Sequence, residues 1–121
     1  MGGPELDRFA DELVHGPAAA ARLRAEGVRD EDFLRAVAYH TIGHPELEVL
    51  GRAVYAADFL ERGRPYRREW RKSLRARMPE DADGVVREVA RAKIEKQLAD
   101  FHRLPEETRA FWNVLVKESD A

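Results

Sequence analysis

His15, His40 and Asp58 are the residues of this chain that packing alone explains least well. Phe33, Val37 and His40 are spaced i, i+4 and i+7, so an α-helix puts them on one face. Asp58 falls in the same way below Leu47, Leu50 (or Gly51) and Val54. A carboxylate on an apolar face needs cations or hydrogen-bond donors, because burial alone raises a carboxyl pKa by about 3–5 units. A metal ion, an arginine or a histidinium would meet that need. His15 precedes Gly16 and Pro17, which reads as the mouth of a helix. The positive end of the dipole there favours the neutral, metal-binding imidazole. At the other end of its own helix His40 feels the opposite field, so a neighbouring acceptor must set its tautomer. Two histidines and one carboxylate suit a single Fe(II), Mn or Zn ion with open positions. The plainer alternatives are hydrogen-bonded core histidines and an Asp58–arginine ion pair.

The elements that would position these residues all read as helices. β-branched residues are few and do not alternate, so strand signals are almost absent. Pro4 can open a helix to about Val14, with Leu6, Phe9, Ala10 and Leu13 on one side. The "HGP" triplet predicts a break, and Pro17 then starts a second helix that stops at Gly27. Asp30 can cap a third, with Phe33, Leu34 and Val37 inward and Gly43 and Pro45 ending it. A fourth runs from about Leu47 to Glu61, with Leu47, Leu50, Val54 and Tyr55 as its apolar stripe. There Ala56 and Ala57 let another helix approach closely. A fifth spans roughly Tyr66 to Met78. The sixth, about Asp83 to His102, carries Val86, Val89, Ile94, Leu98 and Phe101. The last opens at Pro105 and shows Phe111, Trp112, Leu115 and Val116. The expectation is an all-α bundle of about seven short helices, residues 1–121 forming one domain.

Composition limits the function classes. In 121 residues, 44% are hydrophobic and 36% charged, which suits a thin core under heavily charged faces. The net charge of −2 gives no general attraction to nucleic acid or membrane. Without cysteine there are no disulfides and no thiolate metal sites. Neither a signal peptide nor a membrane span is expected, so a cytoplasmic location is the default. Residues 62–77, "RGRPYRREWRKSLRAR", hold eight Lys/Arg against one Glu. Tyr66 and Trp70 among them could stack on bases. The favoured reading is a solvated helix paired with "PEDAD", Glu88 and Glu95. His44 and His102 read as exposed turn or helix-end residues, Phe111 and Trp112 as core anchors.

"LVHGPAAAARL", "AVAYHTIGHPELEVLGRAVYAADFLERGR" and "PEETRAFWN" resemble consecutive pieces of the YqeK-type HD-domain phosphohydrolases. The likeness runs from about residue 13 onward, and the YHT and ADF pieces are its most specific parts. It implies symmetrical cleavage of dinucleoside tetraphosphates to two nucleoside diphosphates with a pair of divalent metal ions, usually iron. By that resemblance His15 and His40 match metal-holding histidines and Asp58 the carboxylate closing the other metal's shell. Thr41 and Arg64 match positions near the substrate phosphates, and Arg62 stands beside them. In such chemistry a metal-bound hydroxide attacks phosphorus in line while arginines offset the developing charge.

The chain also departs from the family pattern. No His-Asp dipeptide occurs, and no histidine precedes His15, so half of the ligand set is missing. His44 stands where many relatives carry an arginine. Three accounts of the departure compete: a truncated or miscalled gene product, a site completed by association with itself or another subunit, or a degenerate homologue. The rival to a metal-dependent phosphohydrolase is a non-catalytic helical module. It would oligomerise through the surface that the missing helices leave uncovered.

Overall fold

The computed structural model describes residues 4–61 and 67–120, with side chains from residue 15. Six helices are found among them: α1 (Pro4–Ala25), α2 (Glu31–Tyr39), α3 (Val49–Phe59), α4 (Arg68–Arg77), α5 (Ala82–Ala99) and α6 (Glu106–Ser119). No strand occurs among the described residues, as the scarcity of alternating β-branched residues predicts. Asp30 caps α2 as expected, accepting the Phe33 N–H at 3.1 Å. Asp81 does the same for α5 with Gly84.

The break expected at "HGP" does not occur, and the first two expected helices are one continuous α1 with Pro17 inside it. Proline costs a helix one hydrogen bond, to the carbonyl four residues back. Pro17 is on the exposed side of α1, where water can serve that carbonyl, while Gly16 and Ala20 face α2. A Cβ on Gly16 would run into the backbone oxygens of Ala38 and Val37, so the two helices meet backbone to backbone. Tertiary packing wins over the local break signal. Arg24 at the end of α1 then grips Glu31 at the start of α2 through two hydrogen bonds, 2.6 and 3.0 Å.

The core gathers Leu47, Tyr55, Ala56, Leu60, Leu74, Val85, Val86, Val89, Ala90, Phe111 and Leu115. Its centre is α5, which packs against α3, α4 and α6, while α2 joins α1 to α3. Phe111 is a core anchor as expected, meeting Tyr55 edge to face at 5.0 Å between centroids. Trp112 packs at the margin.

Several inward faces differ from expectation. On α2, Leu34 and Ala36 are buried and Phe33 is 40% exposed. On α3 the buried set is Gly51, Tyr55 and Ala56, whereas Leu50 is 48% exposed and Val54 is also open. Ala56 is the small residue at the helix contact; Ala57 faces out. Leu47 is buried, but from the loop ahead of α3, where Gly51 leaves room for it. Leu98 and Phe101, expected to line α5, are exposed at its C-terminal end. The expected apolar face of helix one falls on side chains outside the described residues.

Candidate active site

His40 is the C-cap of α2, half-buried, with Nδ1 at 3.0 Å from the Val37 carbonyl. A carbonyl only accepts, so Nδ1 is the donor, and in the neutral ring Nε2 is then the nitrogen with a lone pair to offer. This is the neighbouring acceptor that the helix-end position calls for.

From His40 the chain runs through a turn that other elements hold almost carbonyl by carbonyl. The Lys93 ammonium of α5 donates to the Thr41 carbonyl. The Thr108 hydroxyl of α6 donates to the Ile42 carbonyl at 2.7 Å, and both groups are buried. Gly43 has φ +84°, a conformation that costs glycine little, and the Phe111 ring fills the space where a Cβ would stand. Its N–H reaches back to the Tyr39 carbonyl at 2.8 Å. Farther along, Arg52 of α3 donates to the Leu47 carbonyl at 3.0 Å and grips Glu118 with two bonds, 2.8 and 2.9 Å. That grip holds the Glu118 carboxyl below the usual carboxylate range and raises Arg52.

Asp58 is half-buried in the last turn of α3. The carbonyls that end this helix are met by guanidinium groups from α4: Arg71 donates to Phe59, and Arg75 to Leu60 at 2.7 Å. Arginine thus neutralises the negative end of the α3 dipole immediately beside Asp58. This corrects the solvated reading of the basic helix for Arg71, which is 2% exposed. The expected acidic partners do pair with Arg77, which binds Asp81 at 2.8 Å and also Glu88. Glu95 instead pairs with Arg91 on its own helix. His44 lies in the turn as expected but half-buried: its Nδ1 accepts the Glu46 N–H at 3.0 Å, and its ring is 4.4 Å from Tyr39. His102 is half-buried too.

His15 is exposed within α1, not at a helix mouth, so no N-terminal dipole acts on it. It is nonetheless next to Gly16, where α1 touches the backbone of Val37 and Ala38, one turn from His40. Thr41 is half-buried in the pinned turn. Arg62 and Arg64 lie outside the described residues. Among the described residues, no group of three or more histidine, aspartate or glutamate side chains is placed to hold a metal ion. His15, His40 and Asp58 therefore form no ready three-donor cage, and a cation there would need further donors.

Arg52 and Thr108 lie inside the family-like stretches and Arg71 and Arg75 inside the basic run, but nothing in the sequence marks these residues or Lys93 as the ones that hold backbone carbonyls. The one local signal is that Arg71 and Arg75 are four apart and flank buried Leu74, which puts them on the inward side of α4.

Three curated proteins, from Halalkalibacterium halodurans, Staphylococcus aureus and Bacillus subtilis, are similar in sequence to about half of this chain, and each is named symmetrical bis(5'-nucleosyl)-tetraphosphatase. The chain is similar to the symmetrical tetraphosphatases. Identity to the H. halodurans tetraphosphatase is 39% over 59 residues, 48% of this chain and 32% of that protein. For the B. subtilis tetraphosphatase it is 43% over 56 residues, 46% of this chain and 30% of that protein. The matched stretch thus spans about a third of each tetraphosphatase. A solved structure from Clostridium acetobutylicum, described as a predicted HD superfamily hydrolase involved in NAD metabolism, superposes with a TM-score of 0.79 at 28% identity. It covers 98% of this chain and 61% of its own. The all-helical fold is that of an HD-superfamily hydrolase. No protein-family model matches the chain. No helix among the described residues is long and apolar enough to cross a membrane.

Proposed function

We propose that this chain is the later portion of an HD-type phosphohydrolase acting on dinucleoside polyphosphates, with two nucleoside diphosphates as products. The supporting observation is the similarity to three symmetrical tetraphosphatases together with a close fold match to an HD-superfamily hydrolase. His40, held through Nδ1 with Nε2 left as the acceptor, is suited to a divalent ion, with iron first and manganese or zinc as alternatives. His15 and Asp58 are its proposed companions. These three make no cage among the described residues, so further donors, from elsewhere in the chain or from another subunit, would complete the site. Thr41, Arg62 and Arg64 are the proposed phosphate contacts.

A second reading is a non-catalytic module that pairs with itself or another chain. It draws support from Phe33, Leu50 and Val54, which are exposed on the same helical stripes as His40 and Asp58. Purified protein, loaded in turn with Fe(II) and Mn(II), is incubated with diadenosine tetraphosphate and assayed for ADP. Turnover that is lost in His40→Ala and Asp58→Ala supports the hydrolase. A metal-free, inactive, stable oligomer supports the module.

A further inference from the structure

Lys93 is a half-buried ammonium that the tetraphosphatase reading leaves unused. It leaves α5 to meet the Thr41 carbonyl, 52 residues away in sequence. On its other side it sits 4.1 Å from the centroid of the Tyr55 ring. Tyr55 is buried, its hydroxyl pushed far up by desolvation, and its ring contacts Phe111, which fills the space at Gly43. Lys93, Tyr55, Phe111 and the 41–43 backbone therefore close a ring of contacts around the turn that follows His40.

In a trans peptide the C=O and N–H point in opposite directions. Anchoring the Thr41 carbonyl on α5 therefore directs the Ile42 N–H away from α5. A cation on the carbonyl also polarises the peptide and makes that N–H a stronger donor. We propose that Lys93 is a positioning residue: from α5 it fixes and polarises the Thr41–Ile42 peptide, so that the turn beside His40 presents a set backbone donor to a substrate phosphate. The phosphate role rests on the hydrolase reading above. The fixing of the turn does not.

Lys93→Met removes the cation and the donor while keeping much of the stem. Lys93→Gln keeps a neutral donor and serves if the methionine variant does not fold, and Lys93→Arg keeps the charge. Two readouts are taken on the intact chain: amide hydrogen exchange at Gly43 against Val89 of the core, and affinity for diadenosine tetraphosphate with Mn(II). Lys93→Met or Lys93→Gln is expected to speed Gly43 exchange at least tenfold with Val89 unchanged, and to weaken the nucleotide at least tenfold. Lys93→Arg is expected to restore most of both. A folded neutral variant with wild-type exchange overturns the proposal, and so does faster exchange with unaltered affinity. If the parent chain does not bind the nucleotide, the hydrolase reading fails; Gly43 exchange and the arginine rescue then decide whether Lys93 sets the turn.

Discussion

Gly16 of α1 lies against the Ala38 carbonyl of α2 so closely that a methyl group has no room between them. Alanine in a helix is ordinarily favoured over glycine by about 1 kcal/mol. Here the obstacle is backbone, which cannot rotate away as a side chain would. Gly16→Ala is expected to lower stability by about 1–3 kcal/mol in spite of its better propensity. Urea unfolding measures this, and an unchanged or raised midpoint would disprove the backbone contact.

The Ile42 carbonyl depends on a hydroxyl from α6. Thr108→Val keeps the shape of the side chain and removes its proton, leaving a buried acceptor unmet. The expected loss is about 1–3 kcal/mol. Thr108→Ser, which keeps the donor, should recover part of it in the same unfolding assay.

Phe101 ends α5 at φ +60° with its ring 96% exposed. The His102 N–H returns to the Gln97 carbonyl at 2.8 Å, so the left-handed residue belongs to a helix stop that glycine fits best. Phe101→Gly is expected to raise the melting temperature, by relief worth about 1 kcal/mol. A drop in Tm would show that the ring has a packing role.

Arg52 joins α3 to α6 through Glu118, whose folded-state carboxyl is depressed first by that hydrogen bond. The sign follows from linkage: such a group stabilises the fold above its unfolded pKa and loses that contribution as pH falls through the folded value. The loss should set in as pH falls through the ordinary glutamate range and continue below it. Glu118 is half exposed, so the pair is screened and its worth is at most about 1 kcal/mol. Glu118→Gln should lower stability slightly at pH 7 and flatten its fall with acid. Parallel pH–stability curves for the two proteins would contradict this.

Much of the scaffold was legible in local signals. Few β-branched residues, the Asp30 cap and the opening at Pro105 need only near neighbours in sequence, and each is realised. The inward faces of α2 and α3 were misjudged because several apolar residues surround each helix, and periodicity does not say which stripe meets the core. Phe33, Leu50 and Val54 took the outer one. Of the site, the resemblance supplied the residue names. His40 was marked by its place at a helix end, and its partner Val37 lies one turn back.

The sequence alone determined the helical class, several helix ends and the resemblance to tetraphosphatases, because propensity, caps and family motifs act over a few residues. Only the tertiary structure decided that α1 runs through Pro17, that Arg71 is buried at the end of α3, and that Lys93 and Thr108 hold the turn after His40. These contacts join residues 12 to 66 positions apart in the chain or set packing against a local cost. Their free energy exists only once the helices have met.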